Sequence, residues 1–238
     1  MDYNEFEKVF CEECTKNGIS NPKNIDLFYK YMKLLLEWNT KVNLTAIKDE
    51  NEFIVKHFID SLTINSLIKD KKSVIDVGSG AGFPGVPLKL FNVEQFYTLV
   101  DSVNKKVNVL NDIIEKLELN NIKAIHTRAE ELAQDVNYRE KFDVAVSRAV
   151  SNMTTLVEYL IPFVKVGGLI ICMKGPNFKE ELNDSNKAIN ILGGRVEQVE
   201  SFNINGELER NIIVIRKIKN TPKSYPRGQG KPLKEPIK

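Results

Sequence analysis

The stretch Val74-Ile75-Asp76-Val77-Gly78-Ser79-Gly80-Ala81-Gly82-Phe83-Pro84-Gly85 is an apolar run that breaks into a glycine turn and restarts at a proline. It reads as a buried strand, a tight loop and a helix start, the arrangement by which α/β proteins bind nucleotide-like cofactors. Some positions in such a turn need positive φ, and others must lack a Cβ so that backbone N–H groups can approach a ligand. Pro84 suits the first helical position, where no N–H is required.

Outward from this loop the chain alternates. Strands are expected at 73–77, 96–100, 122–126, 142–146 and 169–173, with helices at 84–90, 105–117, near Glu130, and at 153–164. Strands alternating with helices imply a mostly parallel, doubly wound sheet with right-handed crossovers. A polar helix at 177–192 follows. Two apolar runs, 195–202 and 209–218, then flank Asn205-Gly206, a strong hairpin signal that predicts an antiparallel end to the sheet. The fold class is therefore α/β, of the Rossmann-like kind.

Upstream, residues 1–70 read as a helical extension. Phe6, Val9 and Phe10 share one face, Ile25, Phe28, Tyr29, Met32, Leu35 and Leu36 a longer one, and 51–67 forms a third helical segment containing His57-Phe58-Ile59-Asp60-Ser61-Leu62. The domain plan is thus an extension at 1–70, a cofactor-binding domain at 71–218 and a basic tail at 219–238. With four prolines and almost no apolar residues, the tail is expected to be extended or disordered when free.

Composition narrows the function. No apolar run in the 238 residues approaches the roughly 20 needed to span a membrane, and the start lacks a secretory signal, so a cytoplasmic protein is expected. Cys11 and Cys14 lie in a helical stretch with no second cysteine pair, and read as partly buried thiols, not as a redox or zinc motif. The net charge of +2 divides into +7 for residues 216–238 and −5 for the rest. A basic tail on a mildly acidic body points to a polyanionic partner.

Two cofactor fingerprints overlap in the loop. Gly80-Ala81-Gly82-Phe83-Pro84-Gly85 satisfies the dinucleotide pattern G-x-G-x-x-G, whereas Asp76-Val77-Gly78-Ser79-Gly80-Ala81-Gly82 satisfies the D/E-x-G-x-G-x-G associated with S-adenosylmethionine. Asp76 inside the strand favours the methyl donor, because a carboxylate there can orient the loop or attract a cationic amino-acid end. Asp101, closing the second strand, is placed to accept from ribose hydroxyls in either cofactor. The late hairpin and the lack of a second substrate domain also favour S-adenosylmethionine.

Read in order, Asn43-Leu44-Thr45-Ala46-Ile47, the run 57–62, the loop 76–85, Leu99-Val100-Asp101-Ser102, Arg128-Ala129-Glu130-Glu131, Phe142-Asp143-Val144-Ala145-Val146-Ser147-Arg148-Ala149 and Arg210-Asn211 resemble the RsmG (GidB) family of bacterial 16S rRNA guanine-N7 methyltransferases. The resemblance runs through nearly the whole chain, including Thr221-Pro222-Lys223-Ser224-Tyr225-Pro226-Arg227. It implies that Gly78 and the loop through Phe83, with Gly80 and Gly82, contact S-adenosylmethionine, that Ala129 and Glu130 line the adenine, and that Arg148 is a site residue. Many relatives carry a bulkier valine in place of Ala129, a change that matters little for a backbone contact.

Arg148 and Arg128 are the candidate catalytic residues, and Lys174, Lys223, Tyr225 and Arg227 the candidate RNA contacts. His57 and Asp60 share a helix face, suiting either packing beneath the cleft or substrate contact. The implied acceptor, guanine N7, has an in-plane lone pair and no proton, so no general base is needed. The partner is 16S rRNA or a small-subunit particle, with no metal, and the protein is expected to act as a monomer. Removal of 221–238 is expected to weaken RNA binding more than cofactor binding.

Overall fold

A computed structural model describes residues 1–148 and 151–237; Ala149 of the fourth strand motif and Lys238 of the basic tail lie outside the described residues. The chain opens with α1 (Tyr3–Lys16), capped by the Asp2 carboxylate, which accepts from the Glu5 N–H, and α2 (Ile25–Asn39). The third segment is more broken than a single helix: α3 (Glu50–Phe53), a π-helical turn (Ile54–Ile59), α4 (Asp60–Leu62) and α5 (Asn65–Ile68). A π turn inserts one residue into the helical ladder and recurs at functional sites; this one carries His57 and leads directly into Asp60.

The sheet has seven strands among the described residues: β1 (Ser73–Val77), β2 (Phe96–Asp101), β3 (Ile122–His126), β4 (Phe142–Arg148), β5 (Val164–Lys174), β6 (Gly194–Ile204) and β7 (Leu208–Lys217), in the order 3-2-1-4-5-7-6. β1 to β5 are parallel, β7 is antiparallel to β5, and the β6–β7 hairpin turns at Asn205-Gly206, both with positive φ. The α/β class and the terminal hairpin are therefore as expected. The chain reverses direction across the sheet between β1 and β4, and ligands of open α/β sheets gather at the strand C-termini beside such a reversal.

Alternation along β1 splits the core. Val74 faces the layer that holds α1, α2, α6 (Gly85–Phe91) and α7 (Asn104–Lys116), where Phe6, Phe10, Phe28 and Phe58 pack ring against ring. Ile75 and Val77 face the layer of α9 (Met153–Leu160) and α10 (Phe178–Leu192). The N-terminal helices thus complete one face of the sheet. Cys14 and Cys172 are buried, and burial pushes each thiol up to about 12; all three cysteines are free. Among the described residues no helix is long and apolar enough to cross a membrane.

Two readings of the sequence need correcting. Pro84 is not the first residue of α6 but its N-cap: the carboxylate of Asp76 accepts from the N–H of Gly85 at 2.8 Å, so the helix begins at the first N–H that this carboxylate can hold. The tail is not loose. The guanidinium of Arg139 donates to the carbonyls of Thr221, Pro222 and Tyr225, Gln134 to that of Pro226 and Thr155 to that of Pro232, while Arg227 pairs with the fully buried Glu158. Polar side chains of the core capture its backbone, Ile237 and Tyr225 add to the apolar layer of α9 and α10, and it includes a short helix, α11 (Lys231–Lys234).

Candidate active site

The loop after β1 is built by its own backbone. Gly78 and Ser79 N–H groups donate to the Val100 carbonyl, Ser79 Oγ donates to the Asp76 carbonyl, and Gly82 and Phe83 N–H groups donate to the Ser79 carbonyl. Gly80 (φ +59°) turns its N–H onto Asp101 Oδ2 at 2.9 Å, while Val103 donates to Asp101 Oδ1 at 2.8 Å. Asp101 therefore ties the β1 loop to the start of α7, and each of its oxygens keeps a lone pair for a ligand.

Gly82 has no tolerance for a side chain. Its φ is +105°, and a Cβ would lie 2.6 Å from Tyr31 Oη and 2.7 Å from Val86 Cγ2. Tyr31 is buried and donates to the Ala81 carbonyl at 2.6 Å, so α2 clamps the loop from behind. At Gly80 a Cβ would meet only the Gly78 carbonyl oxygen, at 3.9 Å, so space is available although the positive φ strains any side chain there. Gly80→Asp is expected to fold, at a cost of roughly 1–2 kcal/mol for the left-handed backbone, yet to lose cofactor binding by adding a carboxylate to a loop already bonded to Asp101; retained affinity for S-adenosylhomocysteine in a calorimetric titration would contradict this.

Behind the loop, Asp76 is fully buried. Its Oδ2 caps α6, and its Oδ1 is the single buried side-chain nitrogen or oxygen, among the described residues, that has no hydrogen-bond partner. Burial raises its pKa to about 7, against the lowering effect of the Gly85 N–H and of Arg148. An unsatisfied buried carboxylate oxygen costs roughly 1–3 kcal/mol, so a ligand that brings positive charge or a donor toward it binds with a built-in advantage.

On the other side of the loop sits a cluster that joins three distant segments. Arg148, at the end of β4, donates to Asp60 Oδ2 at 2.9 Å, to the Lys56 carbonyl at 3.1 Å and to His57 Nδ1 at 3.1 Å. Arg210 of β7 donates to Asp60 Oδ1 at 2.8 Å. Because a guanidinium only donates, His57 Nδ1 is the acceptor and Nε2 bears the proton, which it gives to Thr45 Oγ1 at 2.8 Å. Burial, reinforced by Arg148, lowers the His57 pKa to about 3 and keeps the ring neutral. That ring stacks on Phe83 at 4.2 Å, 7° from parallel, and the guanidinium of Arg148 lies 4.9 Å from the Phe83 centroid.

The cleft opens at the C-terminal ends of β1, β2 and β3. It encloses about 310 Å³ between Val77, Gly78, Val100, Asp101, Ser102, Thr127, Arg128, Ala129, Glu130, Tyr159 and Leu233, at the lower end of the roughly 300–1,000 Å³ usual for small-molecule sites. Of the expected cofactor residues, Gly78, Asp101, Ala129 and Glu130 line this cleft together. Gly80 is bonded to its wall, and Gly82, Phe83 and Arg148 form the supporting layer. α8 (Ala129–Leu132) begins at its rim, with Arg128 extended into solvent. Tyr159 and Leu233 were not anticipated. Tyr159 follows Glu158 on α9, whose period reads simply as core, and Leu233 stands alone between prolines and lysines.

The expected RNA contacts do not gather. Lys174 is buried, paired with Glu181 at 2.7 Å and bonded to the Ser151 carbonyl; Arg227 is held by Glu158. Tyr225 is half-buried beneath Arg227, and Lys223 is exposed. The basic tail is partly spent internally: Lys217 is buried against Glu140 and Thr221, which leaves its pKa lowered by burial to about 8. Among the described residues of the tail, the cations that remain exposed are Lys219, Lys223, Lys231 and Lys234. Among the described residues no group of three His, Cys, Asp or Glu side chains could hold a metal ion.

Residues 24–213 match the family model described as GidB, rRNA small subunit methyltransferase G. The protein named ribosomal RNA small subunit methyltransferase G in Acetivibrio thermocellus is 48% identical over 242 residues, covering all of both chains. Its namesake in Clostridium kluyveri is 45% identical over 240 residues, again covering all of both. Among solved structures, an O-methyltransferase from Bacillus cereus in complex with SAH superposes with a TM-score of 0.59 at 14% identity, over 89% of this chain and 100% of the other. At that identity the likeness speaks to fold alone.

Proposed function

Because this chain belongs to the rRNA small subunit methyltransferase G family, we propose that it transfers the methyl group of S-adenosylmethionine to N7 of a guanine in 16S rRNA. The observation that carries the reading is the cleft at the ends of β1 to β3, with Asp101 on its wall, Glu130 at its rim and the unpartnered Asp76 Oδ1 behind its loop. These residues fit the cofactor. Asp101 has lone pairs for two ribose hydroxyls, Ala129 and Glu130 stand with Tyr159 where an adenine would lie, and the buried charge of Asp76 favours a cationic end.

S-adenosylmethionine supplies an electrophilic methyl on a sulfonium. The chain's task is then positional, because guanine N7 attacks with its own in-plane lone pair and no proton has to be removed. The residues agree with this: His57 is neutral, buried and bonded through both ring nitrogens, so it serves as a strut and not as a base. Orientation alone can be worth many kcal/mol when donor and acceptor are held in line. N7 lies on the major-groove edge, which side chains cannot reach inside A-form RNA, so the target guanine is unstacked or in an irregular loop. Arg128 beside the cleft, with Lys234 close to it at Gly230, supports a phosphate-facing edge there. We assign the working unit as one copy of the chain.

Thermal unfolding with added ligand tests the cofactor directly. S-adenosylhomocysteine at 100 times its dissociation constant should stabilise by about 2.7 kcal/mol, a rise of roughly 5–10 °C for a protein of this size, with no response to NAD. Stabilisation by NAD alone would overturn the methyl-transfer reading.

A further inference from the structure

The residues at the very end of the chain, 228–237, reach back to the cofactor cleft. Gly230 donates its N–H to Glu130 Oε1 at 3.2 Å, on the N-terminal turn of α8. Thr155 of α9 donates to the Pro232 carbonyl at 3.0 Å. Just upstream, Glu158 holds Arg227 by its backbone N–H, its Nε and its Nη2, at 2.8, 3.0 and 2.7 Å. The segment is thus anchored on α8 and α9, the helices that supply Glu130 and Tyr159 to the cleft. Directly after the last of these anchors, the short helix α11 presents Leu233 as a cleft-lining side chain.

Leu233 is 65% exposed, the second most exposed of the large apolar side chains described and the only one of them in the tail. Its surroundings on α11 are Lys231, Pro232 and Lys234, so no apolar neighbour on its own element explains it. The tail's other branched aliphatic side chain, Ile237, is buried, and Tyr225 is packed against the same core layer. An apolar group that is left in water, on a backbone fixed by three carboxylate- or hydroxyl-mediated anchors, and that faces a cleft built for a flat heteroaromatic ligand, gains burial when the ligand arrives.

We infer that Leu233 is a cofactor-positioning residue: the C-terminal strap forms the outer wall of the cleft, with Leu233 covering the adenosine end of the bound cofactor opposite Ala129 and Tyr159. The inference rests on the cofactor reading above and adds a wall to it. The same strap turns Lys231 and Lys234 outward, so the element that faces RNA phosphates also closes the cofactor site. The expectation from sequence is that losing 221–238 weakens RNA binding more than cofactor binding; with Leu233 on the cleft wall, cofactor affinity is expected to fall substantially as well.

Calorimetric titration of the full chain and two variants tests the wall, using S-adenosylhomocysteine and 5′-methylthioadenosine, which lacks the amino-acid end. Leu233→Asp should raise the dissociation constant of both ligands about tenfold, equivalent to about 1.4 kcal/mol, and Leu233→Met should stay within about twofold of the parent. Because the side chain is exposed, the melting temperature of all three ligand-free proteins should agree. Unchanged affinity of Leu233→Asp for both ligands would overturn the inference, as would a loss confined to S-adenosylhomocysteine, which would put Leu233 at the other end. Failure of the unaltered chain to bind S-adenosylhomocysteine would instead overturn the underlying cofactor reading.

Discussion

Asp60→Asn is expected to lower the unfolding free energy by about 3–5 kcal/mol, the usual consequence of leaving a buried charge without its partner. The substitution keeps the volume, so no cavity confuses the result. It removes the anion shared by Arg148 and Arg210, which reach Asp60 at 2.9 and 2.8 Å. The amide oxygen of asparagine could accept from one guanidinium, but its NH₂ would then point at the other, donor against donor. The consequence extends to the site, because Arg148 also holds His57 and lies over Phe83. Urea unfolding should show a lower midpoint with an unchanged slope, and affinity for S-adenosylhomocysteine should fall as the ring stack loosens. A loss below about 1 kcal/mol would mean that the pair behaves as a solvated surface ion pair.

Asp76→Asn should separate stability from binding. The folded-state pKa of Asp76 is raised to about 7 from 3.8, so its contribution to stability is present at low pH and is lost as pH rises through that window. His57 runs the other way: its folded-state pKa of about 3, against 6.5, gives stability above pH 6.5 that is lost as pH falls. Between about pH 4 and 6.5 the two slopes oppose each other, and the pair makes the parent nearly flat there. Removing the Asp76 carboxylate exposes the His57 slope, about 1.4 kcal/mol per pH unit below 6.5. At pH 8 the variant should be more stable than the parent by about 1–3 kcal/mol, since a buried charge is gone and only an amide is left short of a partner. Its affinity for S-adenosylhomocysteine should nonetheless fall at least about tenfold. A variant that is both less stable at pH 8 and unimpaired in binding would show that Asp76 is a helix cap and nothing more.

That trade of stability for binding explains which parts of the molecule could be read from its sequence. β1 and β2 match expectation to within one residue because buried parallel strands are short continuous apolar runs; β3 also matches, although it is an edge strand with Lys123 and His126 exposed. β5 begins at Val164, five residues early, since Lys165, Val166 and Gly167 are exposed and read as a loop although they continue the strand. The 51–67 segment shows helical periodicity, yet the π turn within it shifts the phase by one residue, and only tertiary packing reveals that His57 and Asp60, both buried, meet Arg148. The Asp60 cluster joins positions 60, 148 and 210; each lies in a motif, but no motif states which other it meets. The tail was misread for a related reason. Burial of apolar surface leaves a periodic trace, whereas capture of backbone carbonyls by Arg139, Gln134 and Thr155 leaves none.

The role proposed for the cleft beside Asp76 and Asp101 is methyl transfer to a guanine N7 of the small-subunit rRNA. Mapping of 7-methylguanosine in 16S rRNA tests it most directly, comparing cells that carry this gene, cells that lack it, and cells that carry the Gly80→Asp form. One 7-methylguanosine should be present in the first and missing from the other two. Its persistence without the gene, or in cells that carry only the Gly80→Asp form, would contradict the account.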